Sequence, residues 1–123
     1  MKENRYMLIF LVLVAFQISG LSTEASEKDK ISAKEYEIVV AKEKNNVAKV
    51  TTMGKSGYHC NTMYPWKLTV KDKNGKETVY KKNDATAFSE KNVIFKAVGT
   101  TATLKLSVCN DQQCIMKTEN ITL

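Results

Sequence analysis

Cys109 and Cys114 are the residues of this 123-residue chain whose type and spacing could do chemistry. They bracket four small or polar residues in "LKLSVCNDQQCIMK", directly after a run of strand character. Three chemistries are open to such a pair: a structural disulfide, a redox disulfide that exchanges with a partner's thiols, or part of a metal site. Ala102, Leu104, Leu106 and Val108 alternate on one face of the preceding strand, so Cys109 is expected to point outward at its end. Cys114 opens the returning strand after the turn-like "NDQQ". The two sulfurs can therefore meet across the mouth of a hairpin. A bridge closing a loop of about six residues contributes roughly 2 kcal/mol, against about 4.7 for a loop of 100. That is a weak staple, whereas a tight exposed pair on a rigid hairpin suits thiol exchange. Neither cysteine has a lysine or histidine beside it in sequence to lower its pKa, so spacing does not say which one attacks.

The metal alternative uses His59, Cys60, Cys109 and Cys114, one imidazole and three thiolates suited to tetrahedral zinc, or with Met63 a soft site for Cu(I). His59 and Cys60 are neighbours, however, and point to opposite sides of an extended chain. The preferred reading is an exposed His59, a buried or unpaired Cys60, no metal and no cofactor. No Ser-His-acid arrangement, glycine-rich phosphate loop or strand-registered carboxylate pair is present, which disfavours a hydrolase or nucleotide enzyme.

The opening residues bear on the redox compartment. Lys2 and Arg5 precede an apolar run from Met7 to about Ile18, followed by small and polar residues, the layout of a signal peptide cleaved after Ala25. The run is shorter than the roughly 20 residues of a membrane span. A periplasmic or secreted location follows, in which a disulfide persists and an odd cysteine is left over. The net charge of +6 is carried by dispersed lysines without aromatic interleaving, which reads as a solvated face and not a nucleic-acid site. The expected partner is another envelope protein.

The elements that must position the cysteines are short strands. Residues 26–33 read as a flexible lead-in, and 34–123 as one domain. Strands are expected at Tyr36 to Lys42, Val47 to Met53, Trp66 to Lys71, Asn92 to Val98 and Thr101 to Val108, with Asn74-Gly75 as a hairpin turn in which both residues tolerate positive φ. Asn83 to Asn92 reads as no more than a turn. The fold class is all-β, an immunoglobulin-like antiparallel sandwich of six to eight short strands after the signal peptide, with Trp66 in the core. Gly54 to Trp66, holding the sole histidine and the third cysteine, is expected to be one long loop.

"SVCNDQQC" at the end of a sandwich strand, preceded by "GYHCNTMYPWKLTV", resembles the N-terminal periplasmic domain of the thiol:disulfide interchange protein DsbD. The resemblance covers about Gly57 to Leu123, and the cysteine-bearing hairpin is its specific part. It implies an immunoglobulin-like domain in which Cys109 and Cys114 are the exchanging pair. It also implies that the Gly54 to Pro65 loop, through Tyr58, His59, Cys60 and Tyr64, covers the pair or contacts the partner.

Overall fold

The computed structural model describes residues 27–123; the expected signal peptide, residues 1–25, lies outside them. Ten strands follow in chain order: β1 (Glu27–Ser32), β2 (Tyr36–Lys42), β3 (Ala48–Gly54), β4 (His59–Cys60), β5 (Lys67–Lys71), β6 (Glu77–Lys81), β7 (Ala87–Phe88), β8 (Asn92–Ala97), β9 (Thr101–Cys109) and β10 (Cys114–Thr122). They form two antiparallel sheets, β1-β2-β3-β8-β7 and β10-β9-β5-β6, with β4 paired to β9 as well. This is the expected all-β sandwich, with more strands than six to eight because β1, β4 and β7 also pair.

Period-two alternation produces the core. Ile38 and Val40 on β2, Val50 on β3, Val93 and Phe95 on β8, Leu68 and Val70 on β5, and Leu104, Leu106 and Val108 on β9 are all buried. Each inward branched or aromatic side chain removes surface worth about 1.5–3 kcal/mol from water. Trp66, 1% exposed, fills the core as expected. Its indole N–H donates to the Asn61 carbonyl at 2.8 Å, and its ring meets Phe88 edge-on at 6.2 Å. At the other flank the Tyr36 hydroxyl donates to the Glu119 carboxylate, joining the two sheets. Burial, followed by that hydrogen bond and the Glu119 charge, holds the Tyr36 phenol well above its ordinary pKa.

Three local expectations are corrected. The segment 26–33 is no flexible lead-in over 27–32, because β1 pairs with β2 from Glu27↔Ala41 to Ser32↔Glu37. An edge strand is held by backbone bonds and needs little apolar surface, and here only Ile31 and the following Ala33 pack on the core. The hairpin after β5 is not a two-residue Asn-Gly turn, since only Gly75 has positive φ (83°). Asp72 organises a longer loop instead, its carboxylate accepting from the Asn74 and Lys76 amides. The segment Asn83 to Asn92 contains β7, which pairs Ala87 and Phe88 with Ile94 and Val93.

Gly54 ends β3 where the chain leaves one sheet for the other. A Cβ there would lie 2.0 Å from the Tyr58 carbonyl oxygen, a backbone atom that cannot move aside without displacing β4. Gly54→Ala is therefore expected to destabilise the fold by about 1–3 kcal/mol or more in denaturant titration. An unchanged midpoint would show that the Lys55–Tyr58 turn is not held in this position.

Candidate functional site

Cys109 and Cys114 form a disulfide, with Cα atoms 4.0 Å apart at the first register pair of the β9–β10 hairpin. Nine backbone pairs, from Cys114↔Cys109 to Thr122↔Thr101, align the two strands, eight of them beyond the cysteines. The turn is also closed independently. The Asn110 amide donates to the Gln113 carbonyl at 2.9 Å, and the Asn110 side chain accepts from the Gln112 and Gln113 amides, both at 2.9 Å. Asparagine suits this place because its side-chain carbonyl mimics a backbone acceptor.

The two cysteines differ in access. Cys109 is 7% exposed, which corrects the expectation of an exposed pair, whereas Cys114 beside it on the same face is exposed. An incoming thiol therefore meets Cys114 first.

The opposite edge of Cys109 carries a residue that sequence spacing does not reveal. β4 pairs with β9 so that His59 stands directly opposite Cys109. Directly opposed residues of an antiparallel pair project to one face with Cβ atoms about 4.5–5.5 Å apart. Cys114, Cys109 and His59 thus form one cross-strand row, so a histidine that is remote in sequence stands beside the pair in the fold. The contact depends on a turn at Lys55–Tyr58, in which Ser56 and Gly57 both take positive φ (55° and 85°) and the Tyr58 amide donates to the Lys55 carbonyl at 3.0 Å. Positive φ at both central positions is the pattern of a type I′ turn, which glycine accepts without strain. The long Gly54 to Trp66 loop is therefore divided by a short strand.

The other residues singled out in that loop separate. Tyr58 reaches the hairpin, its hydroxyl accepting from Gln113 Nε2 at 2.8 Å, so it braces the turn between the cysteines. Cys60 turns inward, fully buried, and its thiol donates to the Thr52 carbonyl at 3.7 Å. Tyr64 lines a hollow beside Lys81 and Lys82. Of the four residues expected to cover the cysteines, only Tyr58 and His59 lie at the pair.

The same geometry removes the four-ligand metal site. His59 is on the outer face with Cys109, whereas Cys60 opposes Val108 and shares its inward face. Among the described residues no group of three or more His, Cys, Asp or Glu side chains is arranged to hold a metal ion. No helix among them is long and apolar enough to cross a membrane.

Burial pushes the Cys60 thiol up from 9.0 to about 11. The unfolded chain releases this proton at lower pH than the folded one. The contribution of Cys60 to stability is thus fully present below about pH 9 and is lost as pH rises toward 11. Wild-type stability is expected to fall over that window more steeply than that of Cys60→Ala, measured by urea titration at pH 8 and 10.5. Parallel pH dependence would contradict a buried neutral thiol.

Comparison with protein-family models, curated proteins and solved structures returns no match for this chain.

Proposed function

We propose that this chain exchanges electrons with another exported protein through the Cys109–Cys114 pair. The observation that carries the reading is a disulfide placed where the fold does not need one. The bond lies at the end of a hairpin already aligned by nine register pairs and an asparagine-closed turn, with one cysteine exposed and an imidazole beside the other. The likeness of the hairpin to the periplasmic DsbD domain and the signal-like first 25 residues support the same reading, together with an oxidising compartment.

The step follows from the asymmetry. In the reduced protein the exposed Cys114 thiolate attacks one sulfur of the partner's disulfide. A bond forms between Cys114 and the partner, the partner's own S–S bond breaks, and its second sulfur leaves as a thiolate. The Cys109 thiol gives its proton to the His59 imidazole, and the resulting thiolate attacks Cys114 Sγ. The mixed bond breaks, the partner's sulfur departs as a thiolate and is protonated, and the Cys109–Cys114 disulfide is restored. Two electrons have passed to the partner, and a partner dithiol drives the same steps in reverse.

A second reading has one observation in its favour. Cys109 is 7% exposed, and a bond with a shielded sulfur also suits a binding module in which the disulfide only fixes the hairpin.

The two readings are separated by trapping. Cys109→Ser is expected to leave a reactive Cys114 that accumulates a mixed disulfide with glutathione disulfide, whereas Cys114→Ser forms it at least tenfold more slowly. His59→Ala is expected to slow exchange at least tenfold without lowering the melting temperature, since an imidazole that moves a proton acts on rate and not on packing. Intact mass after timed alkylation reads both. Equal rates for the two serine variants, or no mixed disulfide with either, would favour the binding module.

A further inference from the structure

We propose that the outer face of the β10-β9-β5-β6 sheet docks an acidic polypeptide segment of a partner protein along a row formed by Lys81, Lys67 and Lys105. The register places Lys81 opposite Lys67, and Lys67 opposite Lys105. Three ammonium groups thus stand side by side on adjacent strands, over about 10 Å at ordinary strand spacing. Like charges directly opposite one another destabilise a sheet.

Among the described residues the ammonium groups of the row have no ion-pair partner, and the carboxylate at its end, Asp84, is engaged by the Lys81 backbone amide at 2.9 Å. The one carboxylate on the outer face of these four strands, Glu77, lies 3.7 Å from Lys71, and none of the three lysines is in an ion pair. The other sheet treats a similar pairing differently: Lys49 opposes Lys96, but Lys96 reaches Glu43 at 3.2 Å. Protection against edge-to-edge pairing accounts for Lys81, on the edge strand. It does not account for Lys67 and Lys105, because β5 and β9 are interior strands. The repulsion is therefore retained at a cost to stability, and an anionic ligand would relieve it.

The shape of the site selects the ligand class. Lys67 and Lys81 also line a hollow of about 440 Å³ that Tyr64, Pro65 and Lys82 help to enclose. A line of charge that ends in a concavity matches a chain with carboxylates along it better than a planar bilayer. The exposed apolar side chains of the face, Val79 and Met116, stand singly among threonines and Asn120 and form no insertable patch. No aromatic side chain stands on the outer face of the four strands, so a nucleic-acid strand laid along the row has no succession of stacking platforms, Tyr64 of the hollow standing alone. An acidic segment is held there by charge complementarity and by the neighbouring threonine hydroxyls. The inference concerns recognition alone and is independent of the redox reading of the disulfide.

The test is fluorescence anisotropy of a labelled octaglutamate peptide titrated with the disulfide-intact protein. Saturable binding is expected at low salt, weakening at least tenfold by roughly 0.2 M as the charges are screened. Lys67→Glu and Lys105→Glu are each expected to lose at least tenfold, and Lys49→Glu on the other sheet less than twofold. Relief of the repulsion should also raise the melting temperature of Lys67→Glu by roughly 2–5 °C. Lys67→Gln gives the same comparison without charge reversal. Three results would overturn the proposal: no saturable binding, an equal loss in Lys49→Glu, or row-dependent binding to phosphatidylglycerol vesicles in the absence of peptide binding.

Discussion

The register of β9 is the constraint on which the rest of the molecule depends. This strand is paired to β10 along one edge and to both β5 and β4 along the other, so it sets the facing of every side chain in its sheet. Ala102, Leu104, Leu106 and Val108 are buried on its inner face. A slip of one residue would expose all four and turn Cys109 and Lys105 into the core. The burial at stake, at about 1.5–3 kcal/mol for each larger side chain, exceeds the roughly 2 kcal/mol of a six-residue disulfide loop. The hydrophobic alternation therefore positions the disulfide, and not the reverse.

The loop that bridges β4 and β5 ties the disulfide end of this sheet to its lysine row. Asn61 opens it, directly after β4. Its amide donates to the Ser107 carbonyl at 2.9 Å, its side-chain nitrogen to the Ser107 hydroxyl at 3.2 Å, and its side-chain oxygen accepts from the Met63 amide at 3.0 Å. Its own carbonyl accepts the indole proton of Trp66. One residue thus continues the β4 pairing that presents His59 and anchors the tryptophan that precedes Lys67. Among the described residues no buried side-chain nitrogen or oxygen lacks a partner.

The strands whose apolar residues alternate over five or more positions were legible in the sequence, because a half-buried strand writes its burial as a period of two. β2, β5, β8 and β9 are of this kind, and the outward facing of Cys109 followed from the inward facing of Val108. The rest depended on information that alternation does not carry. β1 is polar and held by its backbone at an edge, so it has no hydrophobic signature. β4 and β7 are two residues long, too short to show any period. His59 lies 50 positions from Cys109 and becomes its neighbour only through a long-range pairing of such a strand. The Ser56-Gly57 turn was the local trace of that pairing, since a glycine in a tight reversal marks a place where the chain returns to a sheet.

The central claim is that the Cys109–Cys114 bond is held ready for exchange by a fold that does not require it. The reduction potential of that bond tests this most directly, measured by equilibrating the protein with glutathione or dithiothreitol buffers and quantifying alkylated and bridged forms by intact mass. The account predicts a fully reversible transition at a potential above about −300 mV, with the sandwich folded in both forms. A bond that stays closed below that value, or that opens only as the protein unfolds, would contradict it and identify a structural staple.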